Sequence, residues 1–291
     1  MEVYTQATDE HSKAVSNPLL QVVDMRFKNF FYYILAMLAL PANGSWLSAT
    51  RGDERPPFAP DQSKIPAPPP AGAIVLLGNT PEHQFLSMRG DKTDWPLENG
   101  VLTAKKSEGR VNHIVSRWHF HDADIHVEFR VDPKAQGNSG VYIHGHYELQ
   151  ILNSHGKPDS ALSEHDAGSV YGFAKPLTNS ARPAGEWQVY DIRYIAPRRD
   201  REGKITEPGI LTAWLNGTKV QEKTQVGEPK SVYHPFRYGT TPYLKNIIPQ
   251  LQEKQVGPLF LQDHDSPTQF RNVWIVPLDQ LALEYKPDTT Q

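Results

Sequence analysis

From Ile74 onward, apolar and polar residues come in short runs broken by clusters of Gly, Pro, Asn and Asp. The runs are rich in β-branched and aromatic residues: Ile74–Leu77, 113–118, 125–131, 140–143, 147–152, 187–195, 210–216, 259–262 and 269–276. Short strands at this spacing, with turn residues between them, predict an all-β sandwich or barrel. No stretch after Ile74 carries an apolar stripe of helical period, and no internal repeat is visible. Residues 224–256 hold Pro229, Pro235, Pro242 and Pro249 and are the least strand-like part, so they read as a loop insertion.

Alternation assigns faces. Ile125, Val127, Phe129 and Val131 share one side of a strand, and Asp124, His126, Glu128 and Arg130 share the other. In 147–152 the apolar side is Tyr147, Leu149 and Ile151, opposite Glu148, Gln150 and Leu152. In 187–195, Trp187, Val189, Asp191 and Arg193 oppose Gln188, Tyr190, Ile192 and Tyr194. A polar side of this kind lines a groove or faces solvent, and alternation alone does not say which.

The start of the chain is different in kind. Met25-Arg26-Phe27-Lys28 leads into the apolar run from Phe30 to Leu40, which ends in small residues up to Ala49. A basic start, a short apolar run and a small-residue end are the parts of a secretory signal peptide. The run is shorter than the ~20 apolar residues a spanning helix needs. Export to the periplasm or beyond is therefore expected, with cleavage near Leu47-Ser48-Ala49 and Met25 as the true start. A short buried helix or a signal anchor is the alternative. Pro56, Pro57, Pro60, Pro66 and Pro68-Pro69-Pro70 then predict an extended linker over 50–73. The predicted organisation is leader over 1–49, linker over 50–73, sandwich over 74–282 and tail over 283–291.

Composition narrows the chemistry. The 30 basic and 33 acidic residues nearly cancel, which argues against a nucleic-acid partner. With no Cys there is no disulfide framework, thiolate metal site or Cys nucleophile. No Gly-x-Ser-x-Gly elbow, phosphate loop or dinucleotide fingerprint occurs. The 6 Trp, 12 Tyr and 11 Phe suit strands first and sugar rings second.

Three stretches carry a more specific signal. Residues 137–152 read Gly-Asn-Ser-Gly-Val-Tyr-Ile-His-Gly-His-Tyr-Glu-Leu-Gln-Ile-Leu. Residues 184–192 contain Gly185-Glu186-Trp187, and residues 257–275 contain Gly257-Pro258-Leu259-Phe260-Leu261-Gln262-Asp263-His264 and Phe270-Arg271-Asn272-Val273-Trp274-Ile275. In this order and spacing they resemble the 3-keto-disaccharide hydrolase family, also described as 3-keto-glucoside 1,2-lyase and 3-keto-2-hydroxy-glucal hydratase domains. The resemblance spans roughly residues 74–279. It implies a two-sheet antiparallel β-sandwich of the concanavalin or laminin-G type, a sugar site on the concave sheet, and cleavage of 3-keto-glucosides by elimination and hydration. It also implies a separate 3-dehydrogenase that makes the ketone, because no nicotinamide or flavin motif is present. One departure is Asn153, where the family often carries Asp.

Such chemistry needs a base for the C2 hydrogen, donors for the C3 oxygen and an acid at the leaving oxygen. Glu148 is the first candidate for the charged group, on the family match; a surface Glu paired with Arg is the alternative. Gln150 shares its side and suits a sugar hydroxyl. His264 follows Gln262 by two and is either a proton shuttle or a strand-end residue capping a turn. Lys175, Arg182 and Arg271 are candidate donors, or plain surface charges. Asn138 sits at a Gly-flanked bend where turn chemistry is its simplest role. His144 joins Glu148 only if the chain runs straight through Gly145. His119-x-His121 and His144-x-His146 lack further ligands for zinc, so no metal or other cofactor is expected. A structural Ca²⁺ held by Asp122, Asp124, Asp263 and Asp265 remains open beside ordinary turn acids. The rival functions are a non-catalytic carbohydrate-binding module and a two-carboxylate glycosidase.

Overall fold

The computed structural model describes residues 61–107, 111–231, 234–238 and 241–286. The segment expected to be a leader, the first part of the proline-rich stretch and the last residues of the expected tail lie outside the described residues. The strands are β1 (Ile74–Leu77), β2 (Phe85–Ser87), β3 (Leu97–Glu98), β4 (Val101–Thr103), β5 (Ile114–Phe120), β6 (Ala123–Arg130), β7 (Ser139–Ile143) and β8 (Tyr147–Ile151). They continue with β9 (Gln188–Ile195), β10 (Arg198–Arg199), β11 (Ile205–Glu207), β12 (Gly209–Leu215) and β13 (Thr218–Val226). Helices α1 (Pro235–Tyr238) and α2 (Pro242–Glu253) follow, then β14 (Gly257–Leu261), β15 (Gln269–Pro277) and β16 (Ala282–Glu284).

Two antiparallel sheets face each other in a concanavalin-like sandwich. Sheet A runs β13-β12-β9-β6-β15-β4-β3, with β1 also on β15. Sheet B runs β16-β5-β14-β7-β8, with β2 also on β5. The inner faces follow from the alternation: Val127, Phe129, Tyr190, Ile192 and Tyr194 from sheet A meet Val141, Ile143, Leu149, Ile151 and Leu259 from sheet B in one buried core. Tyr190 crosses the core and donates its hydroxyl to the Gln150 carbonyl at 2.6 Å, which satisfies both groups away from water and ties β8 to sheet A.

Three sequence expectations change. The insertion at 224–256 is not a loop: its first residues complete β13 and most of the rest folds into α1 and α2. Thr241 caps α2, its hydroxyl accepting from the Leu244 N–H at 3.2 Å. Tyr243, Leu244 and Ile247 then pack on Leu86, Val115, Tyr142 and Phe260, on the outer face of sheet B. The expected tail likewise begins inside β16, which pairs with β5.

The third change concerns the proline-rich stretch, whose described part is docked rather than free. Its buried residues Gln62 and Ala67 lie on the outer face of sheet A. Gln62 Nε2 donates to Asp191 at 2.6 Å, and the Ala67 N–H donates to Glu128 at 2.8 Å. Beneath them His126 sits between Asp191 (2.7 Å) and Glu128 (3.4 Å) and stacks on Trp274, with ring centroids 4.5 Å apart. Burial works against a charge on His126, but its hydrogen bonds to the two carboxylates outweigh burial and hold its pKa above the ordinary value. Arg271 and Asn272 complete the cluster, donating to Glu128 at 2.7 and 2.8 Å. The polar sides of β6 and β9 are thus neither groove nor wetted surface.

Glu128 is fully buried and accepts from four groups, so truncation strands several donors. Glu128→Ala is expected to lower stability by about 3–5 kcal/mol in urea denaturation. Gln62→Ala, which removes one hydrogen-bonding side chain, is expected to cost about 1 kcal/mol.

Candidate functional site

On the outer face of sheet B, beside α2, lies a pocket of about 550 Å³. Its lining includes Glu148 and Gln150 from β8, Tyr142 from β7, Gln262, Asp263 and His264 just past β14, and His113 just before β5. Gln136 and Asn138 come from the approach to β7, and His165 and Tyr171 from the loop beyond β8. That loop runs along the free edge of β8: Gln150 donates to the Ser169 carbonyl at 3.0 Å, and Tyr171 donates to the Glu148 carbonyl at 3.0 Å. Buried Asp166 holds the loop's base through Ser154, Lys157 and Ser163.

Glu148 occupies the centre. Tyr142 is its cross-strand partner, and Gly140 is paired with Gln150. A Cβ on Gly140 would lie 2.9 Å from Glu148 Cγ, so only glycine leaves the carboxyl its place. The Asn-Ser-Gly element is therefore more than a bend. Its Gly makes room for the acid, and Ser139 Oγ fixes the next wall by donating to the Gln262 carbonyl at 2.8 Å. Gln262 Nε2 donates to the Tyr142 hydroxyl at 2.8 Å. Burial pushes the Glu148 carboxyl up to about 8, against the lowering effect of its hydrogen bonds with Tyr142 and Gln262.

The polar atoms around it divide by role. Gln150 Oε1 and Gln262 Oε1 are buried acceptors with no partner. Burial raises the pKa of Asp263, whose Oδ1 accepts from the Asp265 N–H at 3.3 Å. His113 stacks on Tyr142, and its Nδ1 accepts from the Asp263 N–H at 3.1 Å. Burial, assisted by repulsion from His264, lowers the His113 pKa to about 3, so the ring is neutral with its hydrogen on Nε2. Val111, Leu152 and the paired rings of His165 and Tyr171 complete the wall.

Of the residues singled out in the sequence, the pocket gathers Glu148, Gln150, Gln262, Asn138 and His264. His264 is exposed, past the end of β14. Four others lie elsewhere. His144 opens the β7–β8 turn with φ 54°, so the chain does not run straight through Gly145. Its ring is buried between Phe120 and Tyr194. Lys175 is exposed, and its carbonyl accepts from Gln221. Arg182 donates to the Trp187 carbonyl at 2.9 Å. Arg271 belongs to sheet A, where it grips Glu128 and covers the Trp187 ring at 4.0 Å. The four acids considered for Ca²⁺ do not converge either. Asp122 pairs with Arg198, Asp124 with Arg193 and Asp265 with Lys106. Among the described residues, the one cluster of metal-ligand type is His121, Asp122 and Asp279, and Arg198 occupies it with bonds to His121 and Asp122.

Sequence reasoning missed Tyr142 and His113. Tyr142 was legible, because it shares with Gly140 the side of β7 opposite Val141 and Ile143. His113 precedes its strand, where alternation gives no facing.

Residues 79–276 match the 3-keto-alpha-glucoside-1,2-lyase-like domain. The chain belongs to this family. Among solved structures, a "putative glycosyl hydrolase" from Parabacteroides distasonis is 30% identical, with a TM-score of 0.59 over 72% of this chain and 84% of its own. A second protein of that description from the same organism is 23% identical, with a TM-score of 0.50 over 72% of this chain and 95% of its own, and shares the fold. No curated protein matches the sequence. The position where the lyase-like family often carries Asp, Asn153, is exposed and outside the pocket lining, its N–H donating to the Gln136 carbonyl. A larger cavity of about 800 Å³ opens between the β10–β11 ribbon and α2. Its imidazoles, His144 and His146, are held neutral by burial, and the carboxyl at the centre of the family's segment is not part of it.

Because the Glu148 pKa is raised on folding, the native state holds a proton that the unfolded chain releases between about pH 4.5 and 8. Its contribution to stability is complete below that window and is lost as pH rises through it. Glu148→Gln is therefore expected to raise the melting temperature at pH 8 and to change it little at pH 4.5, by calorimetry. Gly140→Ala is expected to expel the carboxyl toward water, so that carbon-13 NMR finds Glu148 titrating well below 8.

Proposed function

We propose that this protein, a carbohydrate-active member of a glycosyl-hydrolase-like family, cleaves 3-keto-glucosides by elimination across C1 and C2. The observation that carries the reading is the buried Glu148 carboxyl, raised to about 8 inside a pocket with unpartnered amide oxygens. A ketone at C3 acidifies the C2 hydrogen, and a carboxylate raised this far is a stronger base than an ordinary one. Glu148 would take the C2 proton, giving an enolate. The electron pair then forms the C1–C2 double bond, restores the ketone and breaks the C1–O bond. His264, which lines the same pocket, would supply the leaving oxygen with a proton. Water adding back to the enone completes a net hydrolysis. Gln150 and Gln262 would hold sugar hydroxyls through their free Oε1 atoms, with Asn138 beside them.

The ketone must be made elsewhere, by a separate dehydrogenase, and the segment over 25–49 supports export of this protein. Among the described residues, no helix is long and apolar enough to cross a membrane. One feature favours a second reading: Asp263 lines the same pocket, as a glycosidase with two carboxylates would require.

Purified protein incubated with a 3-keto-glucoside and with its unoxidised parent separates the two readings. The ketone alone is expected to be consumed; turnover of the parent but not the ketone points to the glycosidase. Glu148→Gln is expected to lower kcat by about 10²–10⁴-fold while binding persists. For the wild type, kcat/KM is expected to rise tenfold per pH unit below about 8 and then level off, since the active form is the carboxylate. Binding of the parent with no turnover of either sugar leaves a sugar-binding module.

A further inference from the structure

The pocket is crowded with acceptors. Glu148, the Oε1 atoms of Gln150 and Gln262, and the carboxylates of Asp263 and Asp265 all offer lone pairs. A ketone oxygen is itself only an acceptor, so it is excluded from those positions and needs a donor. The Tyr142 hydroxyl is engaged with Glu148 and Gln262. His165 and His264 are exposed. His113 differs from them: it is buried, lines the pocket, and has Nδ1 occupied by the Asp263 N–H, which leaves Nε2–H as the ring's remaining donor. It stacks on Tyr142, at 6.1 Å between centroids and 27° between planes, the residue whose hydroxyl bonds to Glu148.

We propose that His113 is the catalytic donor to the C3 oxygen of the keto sugar, stabilising the negative charge that appears there when C2 loses its proton. The proposal rests on the reading of Glu148 as the base. When Glu148 removes the proton, the C–H electron pair forms the C2–C3 double bond and the carbonyl pair moves onto oxygen, where the Nε2–H···O bond strengthens. When the pair returns to expel the leaving group, that bond relaxes. His113 starts and finishes neutral and transfers no proton. A neutral imidazole suits this role better than an imidazolium, which would protonate the enolate and stop the expulsion. The Asp263 N–H enforces the required tautomer by taking the other nitrogen, so no reorientation accompanies the charge.

The test separates enolisation from cleavage. A 3-keto-1,5-anhydroglucitol has no glycosidic leaving group, so its exchange of the C2 hydrogen in D2O, followed by proton NMR, reports proton removal alone. The wild type is expected to catalyse this exchange. His113→Phe is expected to slow it about 100-fold or more, with affinity for the unoxidised parent glucoside within threefold, and His113→Gln to recover part of the loss. Exchange at the wild-type rate in His113→Phe overturns the proposal and leaves the base intact. Absence of exchange in the wild type overturns the Glu148 reading and this proposal with it. Should His113→Phe not fold, the Glu148→Gln protein, in which His113 is unaltered, supplies a second readout. Infrared spectra of the carbon-13-labelled ketone bound to it are expected to show the C=O stretch below its value in water. A bound ketone with an unshifted stretch overturns the proposal.

Discussion

Glu148 lies against the bare backbone of the neighbouring strand, and the rest of the pocket follows from that contact. The missing side chain at Gly140 allows the carboxyl to lie flat against the sheet rather than stand up into solvent. Once it lies flat it loses most of its water, and the loss makes its charged form costly. Tyr142 and Gln262 return part of that cost through hydrogen bonds, but Gln262 can do so only because Ser139 and the Gly140 carbonyl hold its backbone. The acid, the two strands and the turn after β14 therefore form one unit.

The helical insertion adds to this unit from the side. Tyr142 has two allegiances: its ring belongs to the apolar cluster under α2, and its hydroxyl belongs to the acid. Burying the ring fixes the hydroxyl, since a Tyr side chain has little freedom once its plane is set. An element far from the acid in sequence thus helps determine where the acid's hydrogen-bond donor sits. Across the sandwich, the Tyr190 hydroxyl bonded to the Gln150 carbonyl does the same for the backbone of β8.

Much of this was legible in the sequence, for a physical reason. Strand period is strict, so Glu148 and Gln150 had to share the side opposite Tyr147, Leu149 and Ile151. The same rule, applied to Gly140 and Tyr142, would have completed the strand pair. Helix α2 escaped because prolines stand at its first position and inside it, although Tyr243, Leu244, Ile247, Ile248 and Leu251 repeat at helical spacing. His144 was misplaced by a turn, since the successive positive φ angles of His144 and Gly145 reverse the chain there. Arg271 and the acids of β6 have roles set by what covers the outer face of sheet A, and no local pattern announces a partner more than sixty residues away. His113 owes its tautomer to a backbone amide 150 residues further on.

The two outer faces of the sandwich are finished differently. Sheet A is closed by the chain's own entering segment, laid over a buried ionic cluster, while sheet B keeps the recess. The molecule therefore has a front and a back. Substitutions beneath the docked segment would therefore be felt through the fold, and those in the recess through what it can hold.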